Sequence, residues 1–330
     1  MKAFKLHNPT DLEGALALLD TPEARSGKTR ILAGGQDLLT EMKEYLAEPD
    51  ALVNLKRIPG LDRIGVGADG AFEIGALATL AALEEHPEVG QRLPALAQAA
   101  GVVASAQIRS QGTLGGNLNQ RPRCWYFRSE HAPCLKKGGK ECFSYGGMSK
   151  YNAILGGGPS YIVHPSDLAP VLVALNATAE LVSKQGTRTV ALEKYFTLPS
   201  ESDVTRETVL QPGEILRTVH VPAPTANSRS SYLKFREKGS FDFALSAVAL
   251  ALVLEGGKIR EARVVLGGVA PIPWRAKGAE AALAGQAPTR ALFEKAAAEA
   301  VRGAEPLAHN GYKVPLTKGL VIRALEDLCT

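Results

Sequence analysis

The chain has 330 residues, more than one hydrophobic core ordinarily serves, so two or three packed subdomains are expected. Hydrophobic residues make up 45% and charged residues 22%, enough apolar material for a soluble fold without metals or disulfides. The formal charge of +4 is small, and basic residues concentrate only around positions 121 to 140, which gives no case for a nucleic-acid partner.

The longest apolar stretch, Phe243 to Leu254 between Asp242 and Glu255, falls short of the roughly 18 residues that span a bilayer. The first residues, Met1 to His7, lack the apolar core of a signal peptide. A cytoplasmic location is expected, with periplasmic delivery requiring co-export with a partner.

In chain order, a short strand precedes the capping-box pattern Thr10-Asp11-Leu12-Glu13. Leu12, Leu16 and Leu19 then recur at helical spacing up to Pro22. Strands at 30–33 and 51–55 enclose a helix over about 38–46, a small β-α-β unit. Strands at 64–66 and 72–75 and helices beginning near Thr79 and Pro94 open a second α+β segment. Gly65-Val66-Gly67-Ala68-Asp69-Gly70 matches G-x-G-x-x-G, but strand-like residues follow where a dinucleotide fingerprint needs a helix, so it reads as a hairpin loop.

Residues 120–158 are glycine-rich, basic and poor in periodic apolar positions, an ordered insertion. Ile162-Val163 reads as a strand, Ser166 or Asp167 as the cap of a helix over 168–176, and 179–182 with 188–191 as a hairpin. Val221 to Asn227 reads as a linker. Beyond it, Gly256-Gly257 joins two strands, and two helices rich in alanine and leucine close the chain. The expected domains are therefore 1–222, divided near residue 57 and carrying the insertion, and 228–330.

Two segments carry the chemistry. Leu32-Ala33-Gly34-Gly35-Gln36-Asp37-Leu38 sets two glycines between a strand and a helix, where backbone N–H groups can face an anion. Gly112-Thr113-Leu114-Gly115-Gly116-Asn117 repeats the pattern with a hydroxyl and an amide as further donors. Either alone could be only a tight turn or helix cap; together they suit a diphosphate.

These motifs, with Gln107-Ile108-Arg109 before the second turn and His164-Pro165-Ser166-Asp167, resemble the FAD-binding subunit of the molybdenum hydroxylases. That family includes xanthine dehydrogenases, aldehyde oxidoreductases and carbon monoxide dehydrogenases. The resemblance runs nearly the whole chain, to Asn310-Gly311-Tyr312-Lys313-Val314 and Leu320 to Leu325. It implies an α+β fold of the vanillyl-alcohol-oxidase type in two subdomains, followed by a C-terminal flavoprotein domain over the isoalloxazine. It also implies that residues 32–38 and Thr113, Gly115, Gly116 and Asn117 bind the FAD pyrophosphate. Asp167 would meet a ribityl or ribose hydroxyl, and Val103, Leu216 and Lys234 would border the ring system. The residues themselves allow plainer roles: a helix cap for Asp167 and a solvated charge for Lys234.

The resemblance further implies an electron-transferring subunit. Its partners would be a large subunit with the molybdenum cofactor and a small subunit with [2Fe-2S] clusters; NAD, quinone, ferredoxin or oxygen would be the terminal acceptor. No catalytic residue is expected on this chain. The chief alternative is a stand-alone flavin oxidase, although no acid–base constellation accompanies the turns. A cofactor-free scaffold is the other.

Cys124, Cys134 and Cys142 are separated by nine and seven residues, unlike the paired clips of zinc sites. An iron-sulfur cluster is the stronger expectation, with Arg121, Arg123, Arg128, Lys136, Lys137 and Lys140 available to compensate its charge. Three inert thiols in a basic loop are the alternative. The segment resembles an insertion in some family members where four cysteines hold a [4Fe-4S] cluster. Here Ser160 stands where the fourth would be expected, which leaves open a labile, three-iron or externally completed cluster, or none.

Overall fold

The computed structural model describes residues 1–329, so Thr330, the end of the expected C-terminal domain, lies outside the described residues. Three sheets organise the chain. The first is parallel, in the order β1-β3-β2, from β1 (Lys5–His7), β2 (Thr29–Leu32) and β3 (Ala51–Asn54). Its helices Leu12–Leu19 and Leu38–Lys43 are the crossovers that parallel pairing requires. Asp11, not Thr10, caps the first helix: its carboxylate accepts the Gly14 N–H at 2.7 Å. Pro22 opens a further short helix, Pro22–Arg25, as its fixed φ favours the first helical position.

The second sheet is antiparallel, in the order β4-β5-β8-β6-β7: β4 (Ile64–Val66), β5 (Phe72–Gly75), β6 (Thr178–Ser183), β7 (Gly186–Ala191) and β8 (Ile215–Val221). The glycine pattern at 65–70 lies in the β4–β5 hairpin, as its strand-like sequel demanded. Helices Leu80–Glu85, Pro94–Gly101 and Leu168–Ala174 pack over this sheet, and the last is buried at every position. Ile162 and Val163 belong to no strand. Their neighbours make single bonds, Ala153 N–H to the Tyr161 carbonyl and His164 N–H to the Ala270 carbonyl, rather than a ladder.

The third sheet, β12-β11-β10-β9, comprises β9 (Ser228–Phe235), β10 (Ser246–Glu255), β11 (Lys258–Gly267) and β12 (Trp274–Arg275). One face, carrying Tyr232, Ala247, Ala249 and Val265, joins the core of the second subdomain. The other, with Val248, Leu250, Leu252, Val264 and Leu266, packs against helices Lys277–Leu283, Arg290–Ala300 and Lys313–Cys329. Burial on both faces explains why β10 reads as a continuous apolar run. Among the described residues three helices follow this sheet's strands where two were expected. No described helix is long and apolar enough to cross a membrane.

The insertion is stitched into this architecture. Ile154 and Leu155 belong to the C-terminal core, their N–H groups both donate to the Val269 carbonyl, and Asn310 donates to the carbonyls of Asn152 and Ala153.

Candidate functional site: a cleft between two glycine turns

The two turns, almost eighty residues apart in sequence, meet. A β-carbon on Gly34 would lie 2.2 Å from the Gln111 carbonyl oxygen and 3.1 Å from the Gly112 α-carbon, so only glycine allows the backbones this approach. They open onto a cleft of about 1210 Å³ between the first two subdomains and the C-terminal sheet. Ala33, Gly34, Gly35, Gln36, Asp37, Leu38, Val103, Thr113, Gly115, Gly116, Asn117, Asp167, Leu216 and Lys234 all line it. Leu32 sits one residue behind, at the end of β2.

The turns contribute unequally. No acceptor among the described residues takes the N–H groups of Gly34, Gly35, Gln36, Asp37 or Leu38. With Gly35 at φ +74°, this run of open donors has the left-handed turn that nests for anions use. At the second turn Leu114 and Gly115 donate to the carbonyls of Ala78 and Ala76, and the Thr113 hydroxyl caps the Gly116 N–H at 3.1 Å. That turn offers a wall and a side-chain donor. The Ser166 hydroxyl donates to Asn117 Oδ1 at 2.5 Å, which leaves the Asn117 amide nitrogen, partnerless among the described residues, available to the cleft.

Ser166 also caps the helix behind it, accepting the Ala169 N–H at 3.0 Å. Asp167 is therefore not the cap. Its buried carboxylate accepts from the Tyr232 hydroxyl at 2.6 Å and from Lys234 Nζ at 2.7 Å, both on β9, and so joins the domains inside the cleft. Lys234 is a buried ion-pair partner and no solvated surface charge. Burial, with the neighbouring Asp167, pushes the Tyr232 hydroxyl well above its usual range, which keeps it a proton donor to the carboxylate. His164, fully buried behind the second turn, accepts the Ser166 N–H through Nδ1 at 3.4 Å. Desolvation lowers it to about 3, so it is neutral scaffold.

Asp37 meets arginines of the insertion. Its carboxylate accepts from the Arg121 N–H at 2.7 Å and from the guanidinium groups of Arg128 at 2.8 Å and Arg123 at 2.9 Å. Arg121 and Lys136 turn the other way, to Glu207 at 2.9 and 3.2 Å. Burial pushes the Glu41 carboxyl up, and the nearby Asp37 adds to the rise against opposing arginines. Arg30, Arg123, Arg206, Glu207, Phe241 and Phe243 also line the cleft. Arg123 was expected at a cluster instead, and the others were missed in the sequence because nothing in their local pattern distinguishes them from surface charges or core aromatics.

The cysteines form no comparable centre. Among the described residues, no group of three or more His, Cys, Asp or Glu side chains converges where it could hold a metal ion. All are free thiols; Cys124 Sγ accepts from Asn152 at 3.7 Å and Cys142 Sγ lies 3.1 Å from the Ser144 hydroxyl. Cys134 is buried, which pushes its thiol up and away from the thiolate a cluster needs, although backbone N–H groups at Lys136 and Lys137 pull it down. Ser160 is buried as well. Arg121, Arg123, Arg128 and Lys136, expected to compensate a cluster, pair two each with Glu207 and Asp37.

Comparison with known proteins accords with the cleft. Residues 2–224 match the family described as the FAD binding domain in molybdopterin dehydrogenase, and residues 230–328 match the CO dehydrogenase flavoprotein C-terminal domain. The chain is 35% identical to the aldehyde oxidoreductase FAD-binding subunit PaoB of Escherichia coli, over 99% of this chain and 98% of that protein. It is 28% identical to the carbon monoxide dehydrogenase medium chain of Hydrogenophaga pseudoflava, over 98% of this chain and 96% of that one. A solved structure of the carbon monoxide dehydrogenase from that organism superposes with a TM-score of 0.77 over 98% of this chain and 96% of the other. The chain thus belongs to the FAD-binding medium subunits of the molybdenum hydroxylases and is the electron-transferring flavoprotein subunit of an oxidoreductase complex.

Proposed function

We propose that the cleft holds FAD with its pyrophosphate on the open N–H groups of residues 34–38, facing the Thr113–Asn117 turn. The observation that carries this is the run of unpartnered donors at a glycine turn, pressed against a second turn that closes the opposite side. Val103 and Leu216 supply apolar wall, and Lys234, fixed by Asp167, sets one positive charge beside the ring system. The Asp37 carboxylate holds the insertion, since it would repel a phosphate, while its backbone N–H belongs to the open donors.

When bound, FAD accepts electrons singly or in pairs and releases them in either form, so the chain's own task is binding, orientation and partial exclusion of water. The proposed partners are a large subunit with the molybdenum cofactor and a small subunit with [2Fe-2S] clusters; NAD, quinone, ferredoxin and oxygen stay open as acceptors. Similarity over nearly the full chain favours this subunit role over a stand-alone oxidase. Cytoplasmic residence, or periplasmic residence by co-export, belongs to this proposal and not to the fold.

Purification with co-expressed neighbours and a visible spectrum tests the reading: flavin bands near one equivalent per chain are expected, and a colourless folded protein would overturn it. Iron and sulfide analysis of the same sample addresses the cysteine segment. The thiol arrangement with Ser160 does not fit a [4Fe-4S] cluster as it stands, so no step is assigned to one. Four irons per chain would reverse that statement without touching the flavin site.

A further inference from the structure

The basic insertion is the feature that the flavin site does not by itself explain. Its charged side chains reach two stretches that both line the cleft and are far apart in sequence, within 33–41 and 203–214. Arg128 does not line the cleft, yet it donates to Asp37 at 2.8 Å, to the Arg121 carbonyl at 3.0 Å and to the Pro122 carbonyl at 2.7 Å. It thereby fixes the first glycine turn to the insertion's own backbone. At the second stretch, Lys136 is 2% exposed, donates to the Arg206 carbonyl at 2.6 Å and pairs with Glu207 at 3.2 Å. Arg121 joins the same stretch through the Thr205 carbonyl at 2.9 Å.

We propose that residues 121–136 form a clasp holding the two lips of the cleft at a fixed separation around the bound dinucleotide, with Arg128 and Lys136 as its positioning residues. The inference rests on the FAD reading. Neither lip belongs to a sheet, the first being a turn that opens the helix Leu38–Lys43 and the second a loop, so their spacing depends on cross-links supplied from elsewhere. Charge-assisted hydrogen bonds shielded from water hold such a spacing better than exposed pairs, which salt screens. A clasp also accounts for the number of insertion cations spent on carboxylates of the fold.

The test uses the full chain purified with its co-expressed partners. FAD release is followed as the recovery of free-flavin fluorescence on dilution. Arg128→Ala and Lys136→Met are each expected to speed release at least tenfold, with Lys136→Arg restoring most of the loss because a long cation still reaches both partners. Opening either lip should suffice, so the double variant is expected to release FAD little faster than the worse single variant. A merely structural role predicts additive effects, accompanied by equal losses of melting temperature in FAD-free protein.

Wild-type release rates in both single variants, or additive effects in the double, would overturn the clasp while leaving the flavin assignment intact. A wild-type chain that carries no flavin overturns the underlying reading instead. If Arg128→Ala does not accumulate as folded protein, Lys136→Met and Lys136→Arg decide the matter alone: faster release in the first with rescue in the second supports the clasp, and unchanged release refutes it.

Discussion

A β-carbon at Gly34 would strike the backbone of Gln111, whereas one at Gly116 would meet only the Thr113 hydroxyl, at 2.9 Å. Substitution at the first position therefore separates the two turns, and substitution at the second crowds the ligand side. Gly116→Val is expected to lower flavin content at least tenfold with little change in the melting temperature of the flavin-free protein. Gly34→Val is expected to lose flavin and melt several degrees lower, because a backbone contact must open. Absorbance at fixed protein concentration and calorimetry check both; full flavin in Gly116→Val would remove the second turn from the site. A sequence motif cannot separate these roles, since what distinguishes them is the chain passing opposite.

At the scale of elements, the helix Lys313–Cys329 begins with a fully buried lysine. Lys313 Nζ donates to the Gly268 carbonyl at 2.7 Å and the Tyr151 carbonyl at 3.1 Å, so this helix also anchors the insertion. Desolvation lowers Lys313 to about 7, and a cation at a helix N-terminus is disfavoured besides. In the unfolded chain the same group titrates near ~10.4. Between these two values the unfolded state binds more protons than the folded one, so stability rises with pH through that window and the charge penalty is fully present below it. From pH 7 to 9 the gain is about 2 kcal/mol. Lys313→Met should flatten this rise in melting temperature; an unchanged slope would show that other groups set it.

Elements also differ in how far they announce themselves. Thr79 and Pro94 mark helix starts through cap and ring chemistry, and Gly256-Gly257 marks its hairpin, because those signals are local. β8 and β9 carry no comparable signal. Their places are set by neighbours distant in sequence, β5 and β6 for one and β10 for the other. The helix expected to reach residue 46 ends at Lys43, with Tyr45 at φ +55°, where the chain turns back toward β3.

Across the whole molecule, Asp167 with Lys234 is the link that makes one site of two domains. Both side chains are nearly inaccessible, so removing one partner leaves the other poorly compensated, at a cost of about 3 kcal/mol. Lys234→Met alone should destabilise by that amount, while Asp167→Asn with Lys234→Met should recover much of it, as denaturant titration of the single and double variants would show. A double variant as unstable as the sum of the singles would mean that the pair does not act as a unit.

The sequence by itself determined the family, the α+β class and the two glycine turns that line the cleft, because close backbone packing restricts residue type at fixed local spacing. Only the tertiary structure decided what each does. It showed that the first turn holds the open donors while the second spends its own, that Asp167 answers Lys234 rather than a helix terminus, and that the insertion's arginines pair with Asp37 and Glu207. Those assignments depend on which distant segment lies opposite each side chain, and chain folding, not local pattern, sets that.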